Sequence, residues 1–190
     1  MVLTPLLLDL KKEFPKFSLI NKSDSRLMKV IDVLLRIITF NQQKTFLTKY
    51  TTTLNTTVYL GGDWDKMSSV SKAILLRHER VHMRQARRYG IFIFAIMYLL
   101  IPFPFLFAYC RMVFEKEAYR ETIVASYQCR GRDFVTSASF KNFIVKQFTT
   151  AAYGWMWIFK THIEKWFDNT LNDIINKNNE HTTAVTGSVE

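Results

Sequence analysis

The sequence predicts an α+β fold, mainly α, in which two packed helices carry a metal site and a small β-hairpin precedes the first of them. Three observations lead there. Apolar residues recur at helical spacing over much of the chain, most regularly in 25–40 and 68–88. Between those runs, 45–60 is rich in Thr and aromatic residues, which favour strands. Within the second run, His78-Glu79-Arg80-Val81-His82 spells H-E-x-x-H, and a second helical pattern further on carries Glu115 and Glu117.

The elements follow in chain order. Val2 to Phe14 reads as a short amphipathic helix, with Leu3, Leu6, Leu7 and Leu10 on its apolar side and Pro15 as its stop. Asn21 to Asp24 reads as a loop with capping residues. Ser25 to Phe40 is a second packing helix, with a stripe of Leu27, Val30, Ile31, Leu34, Leu35 and Ile38. Phe46–Leu54 and Thr56–Leu60 are the strands of the hairpin, with Asn55 at the turn and Gly61-Gly62-Asp63 ending the second strand. Such a strand beside a metal site would suit an extended peptide added at its edge, or would simply cover the core. Asp65 or Ser68 can cap the long helix of 68–88.

That helix carries the chemistry. Residues four apart share a helix face, so His78 and His82 can grip one metal ion. Glu79 lies beside that face, placed to take a proton from water without acting as a ligand. Two imidazoles, an open coordination position and a carboxylate are what zinc-assisted hydrolysis requires. Arg77, Arg80, Arg84, Arg87 and Arg88 fall within about 100° of one another, roughly opposite the histidines. They read as a solvated basic face, the sharper alternative being a nucleic-acid contact.

Ile91 to Tyr109 is 19 residues without a charge, near the length that crosses a bilayer. Pro102 and Pro104 divide it, and a single crossing would carry everything after Arg111 away from His82. A buried connector bent at Pro-Phe-Pro is therefore expected, with a peripheral membrane contact as the alternative. A catalytic zinc needs a third protein ligand, and Glu115 and Glu117 are both available. Residues two apart on a helix point about 200° apart, so only one of them can face the metal.

With Glu115-x-x-Ala118-Tyr119 downstream of H-E-x-x-H, the chain resembles the gluzincin metallopeptidases, in which the motif is followed on a later helix by E-x-x-A-D or E-x-x-A-N. The resemblance implies a zincin-like core with His78, His82 and Glu115 as ligands of one Zn2+ and Glu79 as general base. Tyr119 departs from the family's Asp or Asn, so either its hydroxyl or Glu121 would support a ligating histidine. The wider layout is similar to a small group of bacterial and phage proteins. Its marks are a Thr-rich hairpin, Leu76-Arg77-His78-Glu79 running on to Gln85, an apolar Pro-containing run, and Glu115 to Tyr119. The resemblance covers roughly the middle 80 residues.

The last third reads as helices over Met112–Gln128 and Phe134–Phe148, a break at Thr149–Gly154, an aromatic patch from Trp155, and a helix to about Ile175. Tyr153, beside Gly154, is a candidate donor to an oxyanion. His162 is a weaker candidate ligand. The expected divisions are 1–44 packing helices, 45–130 the metal-site core, 131–175 C-terminal helices, and 176–190 a disordered tail.

Composition narrows the partners without choosing one. A net charge of +10 favours acidic neighbours, whether nucleic acid, an anionic membrane or other subunits. Cys110 and Cys129 lack metal-site spacing and read as free thiols. No secretory signal peptide is expected, because the apolar opening is short and lacks a basic start. A cytoplasmic or virion-associated protein follows. The functional expectation is a metallopeptidase acting on protein or peptide. The alternatives are a structural zinc in an assembly component and a membrane-associated peptidase.

Overall fold

The computed structural model describes residues 2–38, 45–49, 51–94, 107–150 and 159–186. Among the described residues the chain is mainly helical, with one three-stranded sheet, and it divides into two compact units, Met1–Phe94 and Ala95–Glu190. That division falls inside the 45–130 segment expected to form a single core.

The first unit begins with α1 (Leu3–Glu13), which ends two residues before Pro15. Its Leu6 and Leu10, with Phe14 and Phe17, join a core completed by Val58, Leu60, Ala73, Leu76 and Met83. β1 (Ser18–Asn21), absent from the sequence reading, adds to the expected hairpin of β2 (Thr52–Leu54) and β3 (Thr57–Leu60). The sheet order is β1-β3-β2. β1 runs parallel to β3 with Ser18 opposite Thr57, and β2 runs antiparallel with Thr53 opposite Val58. A parallel neighbour distant in sequence is invisible to local pattern, because it depends on a crossover rather than a turn. Asn55 takes a positive φ of 55° at the hairpin turn, as its short polar side chain allows.

Expectations for two short segments of this unit are corrected. Phe46–Lys49 is a helical turn, α3, and not the start of a strand. Strand propensity yields here to tertiary context: Lys22 donates to the Phe46 carbonyl at 2.9 Å and lies over its ring. Lys22–Asp24 likewise forms a 3₁₀ turn in place of a loop.

The expected second helix is α2 (Arg26–Ile38), with 39–40 outside the described residues. Its packing role is also corrected. Leu27, Val30 and Leu34 of the predicted apolar stripe are exposed, while Met28 and Asp32 are buried. The long motif helix, α4 (Ser69–Tyr89), matches expectation. Ser68 is its N-cap, its hydroxyl accepting from the Ser71 amide at 3.2 Å, and Gly90 at a φ of 80° ends it.

The second unit contains α5 (Phe107–Arg130), α6 (Arg132–Thr136), α7 (Ala138–Thr149) and α8 (Lys160–Thr186). The single helix expected over Phe134–Phe148 is broken at Ser137. That residue adopts extended backbone and caps α7 by accepting from the Phe140 amide. The core here is aliphatic and aromatic: Ile123, Val135, Phe140, Ile144, Phe148, Ile163 and Phe167 are all buried. Rings meet in sequence, Phe134 on Phe140, Phe140 on Phe167, and Phe148 on Trp166. Lys141 bonds Asp168 at 2.7 Å.

The tail expected over 176–190 is corrected as far as α8 continues, to Thr186, and 187–190 lie outside the described residues. A helix already nucleated by buried Ile163, Phe167 and Leu171 extends at little cost per residue, and Asn178 donates to the Ile174 carbonyl at 2.7 Å. Among the described residues no helix is long and apolar enough to cross a membrane. Residues 95–106 of the apolar run, and the aromatic patch from Trp155 to Ile158, lie outside the described residues. Cys110 and Cys129 are free thiols, as expected.

Candidate metal centre

α4 turns one face inward. His78, Glu79, His82 and Gln85 are all buried there, beside the core residues Met83 and Ala86. The two imidazoles stand edge to face, and their Nε2 atoms lie 3.1 Å apart. Two nitrogen ligands at about 2.0–2.1 Å from one tetrahedral ion would stand about 3.3 Å apart. The pair is therefore spaced as ligands of a shared ion are.

On α5, Glu115 is 1% exposed. His78, His82 and Glu115 each offer a ligand atom, and these atoms all lie within 4.8 Å of one another. Two neutral nitrogens and one anionic oxygen form a donor set suited to a divalent ion, and this buried group could hold one. Glu117, the rival ligand, is exposed. The 200° between the two positions separates them: Ala118 and Thr122 are buried with Glu115, whereas Glu117 turns the opposite way with Val113.

Three supporting contacts were not anticipated as site features. Gln85 Oε1 lies 2.9 Å from His82 Nδ1. An amide oxygen only accepts, so Nδ1 carries the proton and the Nε2 lone pair is left for a metal. This partner was legible, being three residues on along the same helix face. Thr53 Oγ1 donates to Glu79 Oε2 at 2.7 Å. Thr53 stands opposite buried Val58, so both side chains leave the sheet on the same face, where Val58 shares a core with Ala73 and Leu76 of α4. That contact depends on strand register. The third is Lys22, fully buried, its ammonium pushed down to about 8 by burial and supported by the carboxylates of Glu79 and Asp32.

The remaining predicted residues stand as follows. Tyr119 is buried, its ring packed in the aromatic core 5.3 Å from Phe148. Glu121 is half-buried on α5. His162 is exposed on α8, 3.4 Å from Lys116; slight desolvation and then the Lys116 charge lower its pKa. Tyr153 lies outside the described residues.

The arginine stripe is only partly solvated. Arg80 and Arg84 both bond the Glu13 carboxylate of α1, Arg84 through Nε at 2.6 Å and Nη2 at 3.0 Å. Arg87 approaches the same carboxylate at 3.7 Å and lies over the Phe14 ring. Arg77 is half-buried and Arg88 exposed. One acidic side chain on a neighbouring helix thus draws three guanidinium groups into fold-building contacts, which the sequence reading had assigned to solvent.

Comparison with protein families, with curated proteins and with solved structures finds no match to the chain.

Proposed function

We propose that the protein is a zinc-dependent peptidase, with His78, His82 and Glu115 holding the ion and Glu79 acting as general base. The observation that carries this reading is the buried three-donor group adjoining a carboxylate that is not itself one of the donors. Zinc, when bound, supplies a Lewis acid that polarises a carbonyl and makes water acidic. The chain's own groups do the rest. Gln85 holds His82 in the tautomer with its proton on Nδ1. Thr53 occupies Glu79 Oε2, which leaves Oε1 to take the proton of the attacking water and return it to the leaving amine.

The test is release of new amino termini from unstructured protein substrates by the zinc-loaded protein. Glu79→Gln should lower the rate by roughly 10²–10⁴-fold, the usual contribution of a positioned base, while zinc stays bound. Cleavage by the Gln variant at the wild-type rate would overturn the assignment.

One observation favours a second reading. All the donors are buried, as in closed structural sites, so the ion could serve an assembly component in place of a substrate. In that case the zinc-loaded wild type cleaves nothing and chelation unfolds it.

A further inference from the structure

We propose that the outward face of α2 is a docking surface for an anionic lipid bilayer. At 100° per residue, Leu27, Val30, Val33, Leu34 and Ile37 fall within an arc of about 120°. All five are exposed, Val33 at 56% and Ile37 at 66%. The helix is inverted relative to one facing water: its acid, Asp32, is turned inward and held by Arg36 at 2.8 Å, while its apolar arc faces out. A continuous bare arc of this kind marks an interaction site and not scattered surface residues.

Charge selects the occupant. Exposed Arg26 lies within the arc and exposed Lys29 about 40° beyond its edge, where long basic side chains can reach headgroups while the apolar residues enter the acyl boundary. The chain as a whole carries +10, which an anionic surface attracts. The same unit bares Phe92, 81% exposed, and Ile93, four and five residues after exposed Arg88, a second group that pairs a basic with apolar side chains. No described helix is built to span, so the attachment is peripheral.

Sedimentation of the full chain with phosphatidylcholine vesicles, with and without phosphatidylglycerol, tests this. The wild type should pellet with the anionic vesicles and release as salt is raised. Val33→Glu/Ile37→Glu should weaken binding by roughly a hundredfold, since two aliphatic side chains lose their burial. Its melting temperature and circular dichroism should not change, because both positions are exposed. Arg26→Gln/Lys29→Gln should cost roughly twentyfold. The proposal fails if the wild type ignores anionic vesicles, or if the double-Glu variant binds as well as the wild type. It also fails if the wild type sediments as a dimer that this variant dissociates and neither binds vesicles, which would make the face a contact between copies. None of these outcomes depends on peptidase activity.

Discussion

Replacing Glu115 by Gln removes the only anionic donor of the three-residue group while keeping its size and its place in a buried helix face. The effect can be worked through thermal stability. With free zinc held at one hundred times the wild-type Kd, binding to the folded state alone stabilises it by about 2.7 kcal/mol. An unfolding entropy of about 2.1 cal/mol/K per residue gives about 0.4 kcal/mol/K for this chain. Zinc should therefore raise the wild-type Tm by about 7 °C. Loss of a supporting partner already weakens metal sites 10–100-fold, so loss of a direct ligand should reach at least the upper figure. At the same zinc concentration the stabilisation of Glu115→Gln then falls to about 0.4 kcal/mol, a shift of about 1 °C. Glu117→Gln, an exposed position, should keep the full shift. Differential scanning calorimetry with zinc or chelator reads all three proteins. Equal shifts in Glu115→Gln and wild type, or loss of the shift in Glu117→Gln, would refute the ligand assignment.

Other consequences follow from the same contacts. Thr53→Val, which keeps shape but removes the donor to Glu79, should lower kcat/KM by roughly 10–100-fold. Zinc affinity measured by competition should not move; a parallel fall in affinity would assign Thr53 to the ligand cage. Glu13 is held below its ordinary carboxylate value by the Arg84 hydrogen bond and then by Arg80, with burial opposing. Its contribution is therefore complete above about pH 4.5 and is lost as pH falls through the lowered value. Glu13→Gln should cost roughly 1–3 kcal/mol in urea titrations at pH 7, and the cost should shrink as pH falls through that lowered value. Lys22 has linkage of the same sign in an alkaline window. Its folded value of about 8 lies below the ordinary 10.5, so the folded chain sheds this proton first and stability rises between those pH values by up to about 3 kcal/mol. Lys22→Met should flatten that rise, and an unchanged alkaline profile would contradict the burial of the charge.

The helical parts of the fold were legible where the reason for them is local. Leu6 and Leu10 before Pro15, the Ser68 cap and Gly90 each act within a turn or two of chain, and each element stands where its pattern put it. The errors share a different cause. Phe46–Lys49, read as the start of a strand, became a helical turn beside a buried Lys22 that lies 24 residues from Phe46. β1 pairs with β3 across 39 residues, as the Ser18–Thr57 hydroxyl contact at 3.0 Å records. The α2 stripe established that one face is apolar, but a periodic pattern does not state whether protein covers that face.

The candidate centre divides along the same line. The sequence alone determined that His78 and His82 share a face, that Glu79 adjoins it, that Gln85 stands one turn on, and that only one of Glu115 and Glu117 can point with Ala118, because helical geometry fixes angles between near neighbours. Tertiary structure alone decided that Thr53 meets Glu79, that Glu13 gathers the arginines, that Lys22 is buried, and that Tyr119 belongs to the aromatic core. Those contacts join segments far apart in the chain, and they depend on strand register, crossover and burial, which spacing along one element does not encode.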